Sequence, residues 1–373
     1  MKIKEFGVEM YMNAYEDYCK YNLAETCVSS MSLEELLDLV GDKEKVIDDL
    51  LKLKLSYGYI KGNPRFKKAV ATLYKNAKDE NIVTTHGAIG ANHLLLQTLV
   101  EQGDEVVSIM PTYQQLYSIP ESLGANVKIL PLTFENHFLS CLELLKEYMT
   151  DKVRIVCINN PHNPSGSLMD REYLEKIVNI VRPYGAYILC DEVYRGLTHQ
   201  GNNITESMYD LYEKGISTSS MSKVYSLAGL RLGWITAPKD VIDKVIIHRD
   251  YNTISCGVID EYLALLALEN KDKIFERSLA IVKANLEILD EWITNEPKAS
   301  YVKPKGGTTA FVKLQMDMPS EDFCVRVLKE TGVLMVPGSA FEMEGFVRIG
   351  YAYEPVELKK GLSLISKMLA RYH

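Results

Sequence analysis

From residue 82 onward the chain alternates two textures. Short apolar runs rich in β-branched residues ("NIVTTH", "DEVVSIM", "NVKILPL", "RIVCINN", "AYILCDEV" and "GISTSSM") are separated, in several places, by stretches whose apolar residues recur at three- and four-residue spacing. In "GAIGANHLLLQTLVEQG", Ala91, Leu94, Leu95 and Leu99 fall on one helical face, and Gly103 is expected to stop that helix. "DREYLEKIVNIVRPYG" is a second such helical stretch. Short apolar runs of this kind are buried on both faces. Alternating with helices, they predict an α/β unit with a largely parallel sheet.

After residue 260 the rhythm changes. "DEYLALLALEN" and "DKIFERSLAIVKANLEILDEWITNEP" read as two helices, the second long, and "GTTAFVKL", "GVLMVPG" and "GFVRIGYA" read as strands of a smaller α+β unit. The first 35 or so residues lack the strand–helix alternation and are assigned to that smaller unit. The expected division is a large unit over 36–285 and a small one made of 1–35 and 286–373. No repeat, low-complexity tract or Pro/Gly/Ser linker interrupts the chain.

Composition narrows the class without naming a chemistry. A hydrophobic content of 47% and a charged content of 25% over 373 residues are ordinary for a globular protein. The net charge of −8, with no Lys/Arg-rich run to offset it, argues against a nucleic-acid or anionic-membrane partner. Seven scattered cysteines with no CxxC pair read as reduced thiols of a cytoplasmic protein, and neither a disulfide framework nor a metal site is expected. The amino terminus carries acids where a secretory signal needs an apolar run. No segment approaches the ~18 apolar residues that span a membrane.

In α/β sheets ligands sit at the carboxyl ends of the strands. After "NIVTTH" come Gly87, Ala88, Ile89 and Gly90, opening a helix; after "SIM" comes Tyr113; after "RIVCINN" comes Asn163. "AYILC" ends in Asp191 and Glu192, with Tyr194 close behind, and "GISTSS" ends in Ser220, Ser222 and Lys223. Each has a bland reading alone: a strand–helix turn, a proline-rich turn, an N-cap carboxylate, a packing tyrosine. "YILCDE" also resembles a Walker B strand, but the partner motif GxxxxGK[ST] is absent from the chain. Their convergence on one sheet edge is what carries weight. A phosphate suits helix-terminal amides, serine hydroxyls and an arginine fork. A lysine forms an imine with an aldehyde, a buried carboxylate keeps a ring nitrogen protonated, an amide and a phenol hold a ring hydroxyl, and an aromatic covers a flat ring. Pyridoxal 5'-phosphate (PLP) has all these parts.

The sequence resembles the class I/II aminotransferases of the aspartate aminotransferase fold family. "SMSKVYSLAGLRLG", Ser220 to Gly233, matches that family's lysine signature at every restricted position. "YGYIKGNPRFKKAVATLY", "THGAIGA", "QGDEVVSIMPTY", "NNPHNPSG", "CDEVY", "VPGSAFE" and "FVRIGYA" follow the family order over most of 55–355. The resemblance implies the PLP-dependent transferase fold type I and a transaminase acting through a Lys223 Schiff base. It implies that Lys223 shuttles a proton, a job needing an amine lowered from ~10.4 toward neutrality, which imine formation and nearby positive charge can provide. It gives Asp191 the pyridinium proton and Asn163 and Tyr194 the phenolic oxygen, with Tyr113 stacked on one ring face and Val193 beneath the other. The phosphate falls to the amides of Ala88 and Ile89, to Ser220, Ser222 and Arg231, and to Tyr57 from across a homodimer interface, with Tyr59 a near competitor for that assignment.

Arg348, in "FVRIGYA", matches the arginine that grips the substrate carboxylate, a bidentate role that suits its fork; Asn163 stands beside it as a substrate contact. In the pocket segments, Glu25 is read as a partner for a cationic substrate side chain, alongside Thr308, Thr309, Gln114, Gln115 and Tyr117. Arg249 lies roughly where some relatives send an arginine into the partner's site, and Asp250 next to it equally suggests an interface ion pair. The expected partners are an amino acid, a 2-oxo acid and a second copy of the chain. The same fold also hosts carbon–sulfur lyases, ring-forming synthases and arginine-modifying enzymes of the capreomycidine synthase kind, which remain the alternative. A non-catalytic regulator of this fold would carry an added DNA-binding module, for which the match leaves no room.

Overall fold

The computed structural model describes residues 2–371. Its centre is a seven-stranded sheet in the order Ile82–Thr85, Gly233–Thr236, Gly215–Ser220, Tyr187–Asp191, Val153–Asn159, Glu105–Met110, Asn126–Pro131. All neighbours run parallel except Gly233–Thr236, which is antiparallel to both strands beside it. That strand was not anticipated; it is four residues long and lies within the stretch read for its chemistry. The mostly parallel sheet flanked by helices is the architecture the sequence predicts.

Both faces of the sheet are apolar, which explains the unbroken hydrophobic runs. Val106, Ile155, Leu189 and Ile216 join one cluster with Ala91, Leu94, Leu95 and Leu99 of the helix Gly87–Leu99. The alternate positions Val107, Val156, Ile188 and Cys190 join a larger cluster on the other face, with Leu174, Ile177 and Val178 of the helix Arg171–Val181. The first of these helices ends at Leu99, four residues before Gly103. Gly103, at φ +90°, instead makes the turn into the next strand, its N–H bonding to Gly124 O.

The second sheet is antiparallel, in the order Val336–Pro337, Phe346–Gly350, Thr309–Leu314, Ala299–Tyr301. "GVLMVPG" is not one strand but two: Val333–Leu334 pairs in parallel with Tyr21–Asn22, and Val336–Pro337 pairs with Phe346–Gly350. The amino-terminal residues thereby pair, in a separate two-stranded sheet, with the segment that leads into this one. They also form a helix, Gly7–Tyr15, that the sequence reading did not resolve. It packs so closely that a Cβ on Gly7 would stand 3.1 Å from Ala340 O. Among the described residues, no helix is long and apolar enough to cross a membrane.

Candidate active site

A cavity of ≈ 360 Å³ opens at the carboxyl ends of the parallel strands, where the two sheets and the amino-terminal helix meet. Asp191, the last residue of its strand and buried, lies at its base. Asn92 Nδ2 donates to Asp191 Oδ2 at 2.7 Å, and the Val193 N–H reaches Oδ1 at 3.2 Å. Thr218 Oγ1 donates to Asn92 Oδ1 at 2.6 Å, which fixes the amide with its NH₂ toward the carboxylate. Burial pushes the carboxyl up to about 6, despite the Asn92 and Val193 donors and the nearby Lys223 charge. A carboxylate so placed is paired only with neutral dipoles, and a cationic N–H would complete it.

Lys223 follows the strand Gly215–Ser220 and reaches into the same space. Its Nζ donates to Thr26 Oγ1 at 2.6 Å and to Cys27 Sγ at 3.6 Å. The lowering expected of this amine is tied to imine formation and nearby positive charge, and so belongs to the cofactor-bound enzyme. Burial alone would lower it, but the Cys27 thiol, the Tyr194 phenol and the Glu25 carboxylate outweigh burial and Arg348, so the ammonium is held above its ordinary value. Of its charged neighbours, Arg348 is the one that acts in the lowering direction.

At another end of the cavity the helix Gly87–Leu99 begins. The amides of Ala88 and Ile89 fall in its first turn, where no helical carbonyl stands four residues back to receive them. Arg231, in left-handed backbone at φ +48°, points its guanidinium at this turn: a Cβ on Gly87 would lie 3.1 Å from Nη2. Ser220 and Ser222 line the cavity too. Amides, hydroxyls and a guanidinium form an anion cradle.

Arg348, central in the strand Phe346–Gly350, is buried. Nη2 donates to Ala24 O at 3.0 Å and Nη1 to Asn163 Oδ1 at 3.3 Å, while Nε has no partner. Asn163 is held by its own N–H on Asn159 Oδ1 at 2.7 Å. Tyr113, Val193 and Tyr194 complete the walls.

Three groups of expected residues stand elsewhere. Tyr57 and Tyr59 are exposed and lie outside the cavity of their own chain. Thr308, Thr309, Gln114, Gln115 and Tyr117 do not line it either, though Thr308 and Gln115 bond residues that do. Thr308 Oγ1 donates to Thr26 O at 2.7 Å, Gln115 Nε2 to Ile89 O at 3.0 Å, and Gln114 both donates to Glu5 O and accepts from the Gly7 N–H. Arg249 is a buried clamp on the carbonyls of Ile60, Thr84 and Ile254, so it neither extends toward a partner nor pairs with Asp250. Glu192, next to Asp191, turns away to Ser207, Met208 and Ser217. Glu25 does line the cavity, with Oε1 accepting the N–H groups of Thr26 and Cys27 at 2.6 Å each.

Sequence reasoning missed Asn92, Thr26 and Cys27, and the residues Glu9, Met12 and Glu16 brought by the amino-terminal segment. Asn92 carried a usable signal, an amide next to the buried stripe of an otherwise apolar helix. The amino-terminal residues carried none, because their placement depends on contacts far along the chain.

The model of the family "Aminotransferase class I and II" matches residues 44–365. The chain belongs to that family. Capreomycidine synthase of Streptomyces vinaceus is 33% identical over 83% of this chain and 80% of its own. An aspartate aminotransferase of Pyrococcus horikoshii is 29% identical over 88% of each. Among solved structures, a PLP-dependent aminotransferase from Streptococcus suis superposes with a TM-score of 0.97 at 46% identity, covering 100% of this chain and 99% of that one. The PLP-dependent cyclase OrfR shares the fold at a TM-score of 0.91 and 23% identity, over 100% and 98% of the two chains. The protein is thus a PLP-dependent enzyme of fold type I. The cavity fits this cofactor: an anion cradle, a buried carboxylate without a cation and a lysine amine share one space.

Proposed function

We propose that the enzyme moves an amino group between an amino acid and a 2-oxo acid. The observation that carries this reading is the single cavity holding Lys223, Asp191 and Arg348. Arg348, with a buried and unpartnered Nε, receives the substrate carboxylate, and Asn163 keeps the guanidinium in place. Lys223 is the covalent anchor and the base that carries the proton away from the donor's Cα. Asp191 holds the ring N–H; Asn163 and Tyr194 hold the ring oxygen. Tyr113 and Val193 sandwich the ring. Ala88, Ile89, Ser220, Ser222 and Arg231 hold the phosphate. Bound there, PLP supplies the aldehyde that exchanges with amines and a ring that accepts electron density.

Tyr57 reaches the phosphate of the partner's site in a homodimer. An exposed apolar surface supports that assembly: Leu51, Leu55, Tyr57 and Tyr59 on one segment, Tyr251 and Ile254 on another. The seven unpaired cysteines support a cytoplasmic enzyme. The division into a large unit over 36–285 and a small unit of 1–35 and 286–373 belongs to the same reading. It is supported by the two sheets and by the pairing of Tyr21–Asn22 with Val333–Leu334.

A second reading, a lyase or an arginine-modifying, ring-forming enzyme, is favoured by the 33% identity to capreomycidine synthase. Absorbance separates the two. In a transaminase, donor amino acid converts the aldehyde-form cofactor band to the amine-form band, and a 2-oxo acid alone restores it. Steady conversion of the amino acid with no acceptor present, with release of ammonia or of a cyclised product, replaces the first reading by the second.

A further inference from the structure

Once Asp191, Lys223, Arg348 and the anion cradle have their tasks, one wall of the cavity is left. It is built by Val8, Glu9, Met12, Glu16, Ala24 and Glu25. Three of those six residues are carboxylates. Glu9 Oε1 accepts from Tyr113 OH at 3.0 Å, Glu16 Oε1 from Asn22 Nδ2 at 3.1 Å, and Glu25 Oε1 from two backbone N–H groups. All these donors are neutral. Among the described residues, no Lys, Arg or His nitrogen lies within 4.0 Å of any of the three.

None of the three cations of the cavity bonds these carboxylates, although Lys223 offsets Glu25 and Arg348 offsets Glu9 and Glu25 at longer range. In the proposed reading both cations are claimed by the cofactor and the substrate carboxylate. Arg231 faces the cradle, Lys223 Nζ is engaged by Thr26 and Cys27, and Arg348 is bonded to Asn163 and Ala24. The buried, unpartnered Nε of Arg348 points independently to a ligand in the same space, and to an anionic end of it. A substrate with its carboxylate at Arg348 and its α-amine toward Lys223 has its side chain left for the acidic wall.

We infer that the donor amino acid carries a cationic side chain, an ammonium or a guanidinium, received by Glu9, Glu16 and Glu25. This rests on the reading of the cavity as the donor site and names the class of donor. A charge-assisted contact is markedly stronger than a neutral one where water is partly excluded. The same wall repels an acidic side chain, so aspartate is a poor donor here.

Ligands that lack any primary amine cannot form an imine and report binding alone. Titration calorimetry on the holoenzyme compares 5-guanidinopentanoate with 5-ureidopentanoate, in which a neutral urea replaces the guanidinium. The wild type is expected to bind the cationic ligand at least tenfold more tightly. Glu9→Gln combined with Glu16→Gln is expected to bring the ratio within about threefold of one, with thermal melting confirming that the variant is folded. Near-equal affinities in the wild type, or a ratio unmoved in the folded variant, overturn the inference. With reacting donors, kcat/KM for L-ornithine should exceed that for L-norleucine and L-aspartate by the same margin. Should aspartate prove the better donor, this inference falls and the transaminase reading stands. If no amino acid shifts the cofactor band, the transaminase reading falls, and the calorimetric ratio still decides this one.

Discussion

The carboxylate at position 191 is the residue on which stability pulls against the proposed function. Burial raises it from 3.8 to about 6, with Asn92 and the Val193 amide only partly restoring the charged form. Between those two values the folded state binds more protons than the unfolded chain, so stability of the cofactor-free protein falls as pH rises through that window. The difference corresponds to on the order of 3 kcal/mol above pH 6. Asp191→Asn removes it. The stripped variant is expected to melt above the stripped wild type at pH 7 and to approach it near pH 4, while turnover of the holoenzyme drops on the order of 10²–10³-fold as an electrostatic partner is lost. Glu192, Glu261 and Asp260 are also raised by burial, so the difference between variant and wild type is the quantity to read. Parallel melting curves across pH 4–7 exclude the account. Asp191 was legible in the sequence because it ends an apolar run, whereas its pairing with Asn92 was not. Asn92 and Thr218 lie 126 residues apart in the chain, and only the packing of the helix Gly87–Leu99 on the strand Gly215–Ser220 joins them.

At the level of elements, the apolar rhythm located the six parallel strands and the long helices because burial on both sheet faces leaves an unmistakable run. It failed where an element is short or its partner remote. The strand Gly233–Thr236 is one case, the helix Gly7–Tyr15 another. The first of these has a function that follows from its position. A Cβ on Gly233 would stand 2.4 Å from Gly87 C and 2.7 Å from Ala88 N, inside the backbone of the first helical turn. The strand thus sets where the anion-binding amides lie, and only glycine permits that approach. Gly233→Ala is expected to displace the turn and weaken binding of PLP to the stripped protein about tenfold or more, about 1.4 kcal/mol. Gly229→Ala is the control, since a Cβ there meets nothing within 4 Å. Affinities measured by fluorescence titration, equal for Gly233→Ala and the control, refute this role for the strand.

For the whole molecule, the single chain leaves several exposed apolar side chains together. Leu51, Leu55, Tyr57, Tyr59 and Ile60 belong to one segment, and Tyr251, Ile254 and Ile259 to another. Arg249 binds the carbonyls of both Ile60 and Ile254, and Gly58 lies against Cys256 O and Val258, so the two segments form one continuous surface. Side chains such as Tyr57, 78% exposed, and Tyr251, 94% exposed, gain free energy by burial, and a second copy of the same surface is the simplest cover. Apolar spacing alone did not foretell this patch, because its two segments lie far apart in the chain, Ile60 and Arg249 by 189 residues, and only the fold joins them. The proposed sharing of sites makes a sharp prediction. Tyr57→Ala and Lys223→Ala chains are each expected to be severely impaired alone. When the two are unfolded, mixed and refolded, a heterodimer of shared sites contains one site with Lys223 from the first chain and Tyr57 from the second, and one site with neither. Activity should then return to about a quarter of wild type, since half the dimers are mixed and each carries one intact site. If Tyr57 serves only its own chain, no site in any mixed dimer is intact, and mixing restores nothing.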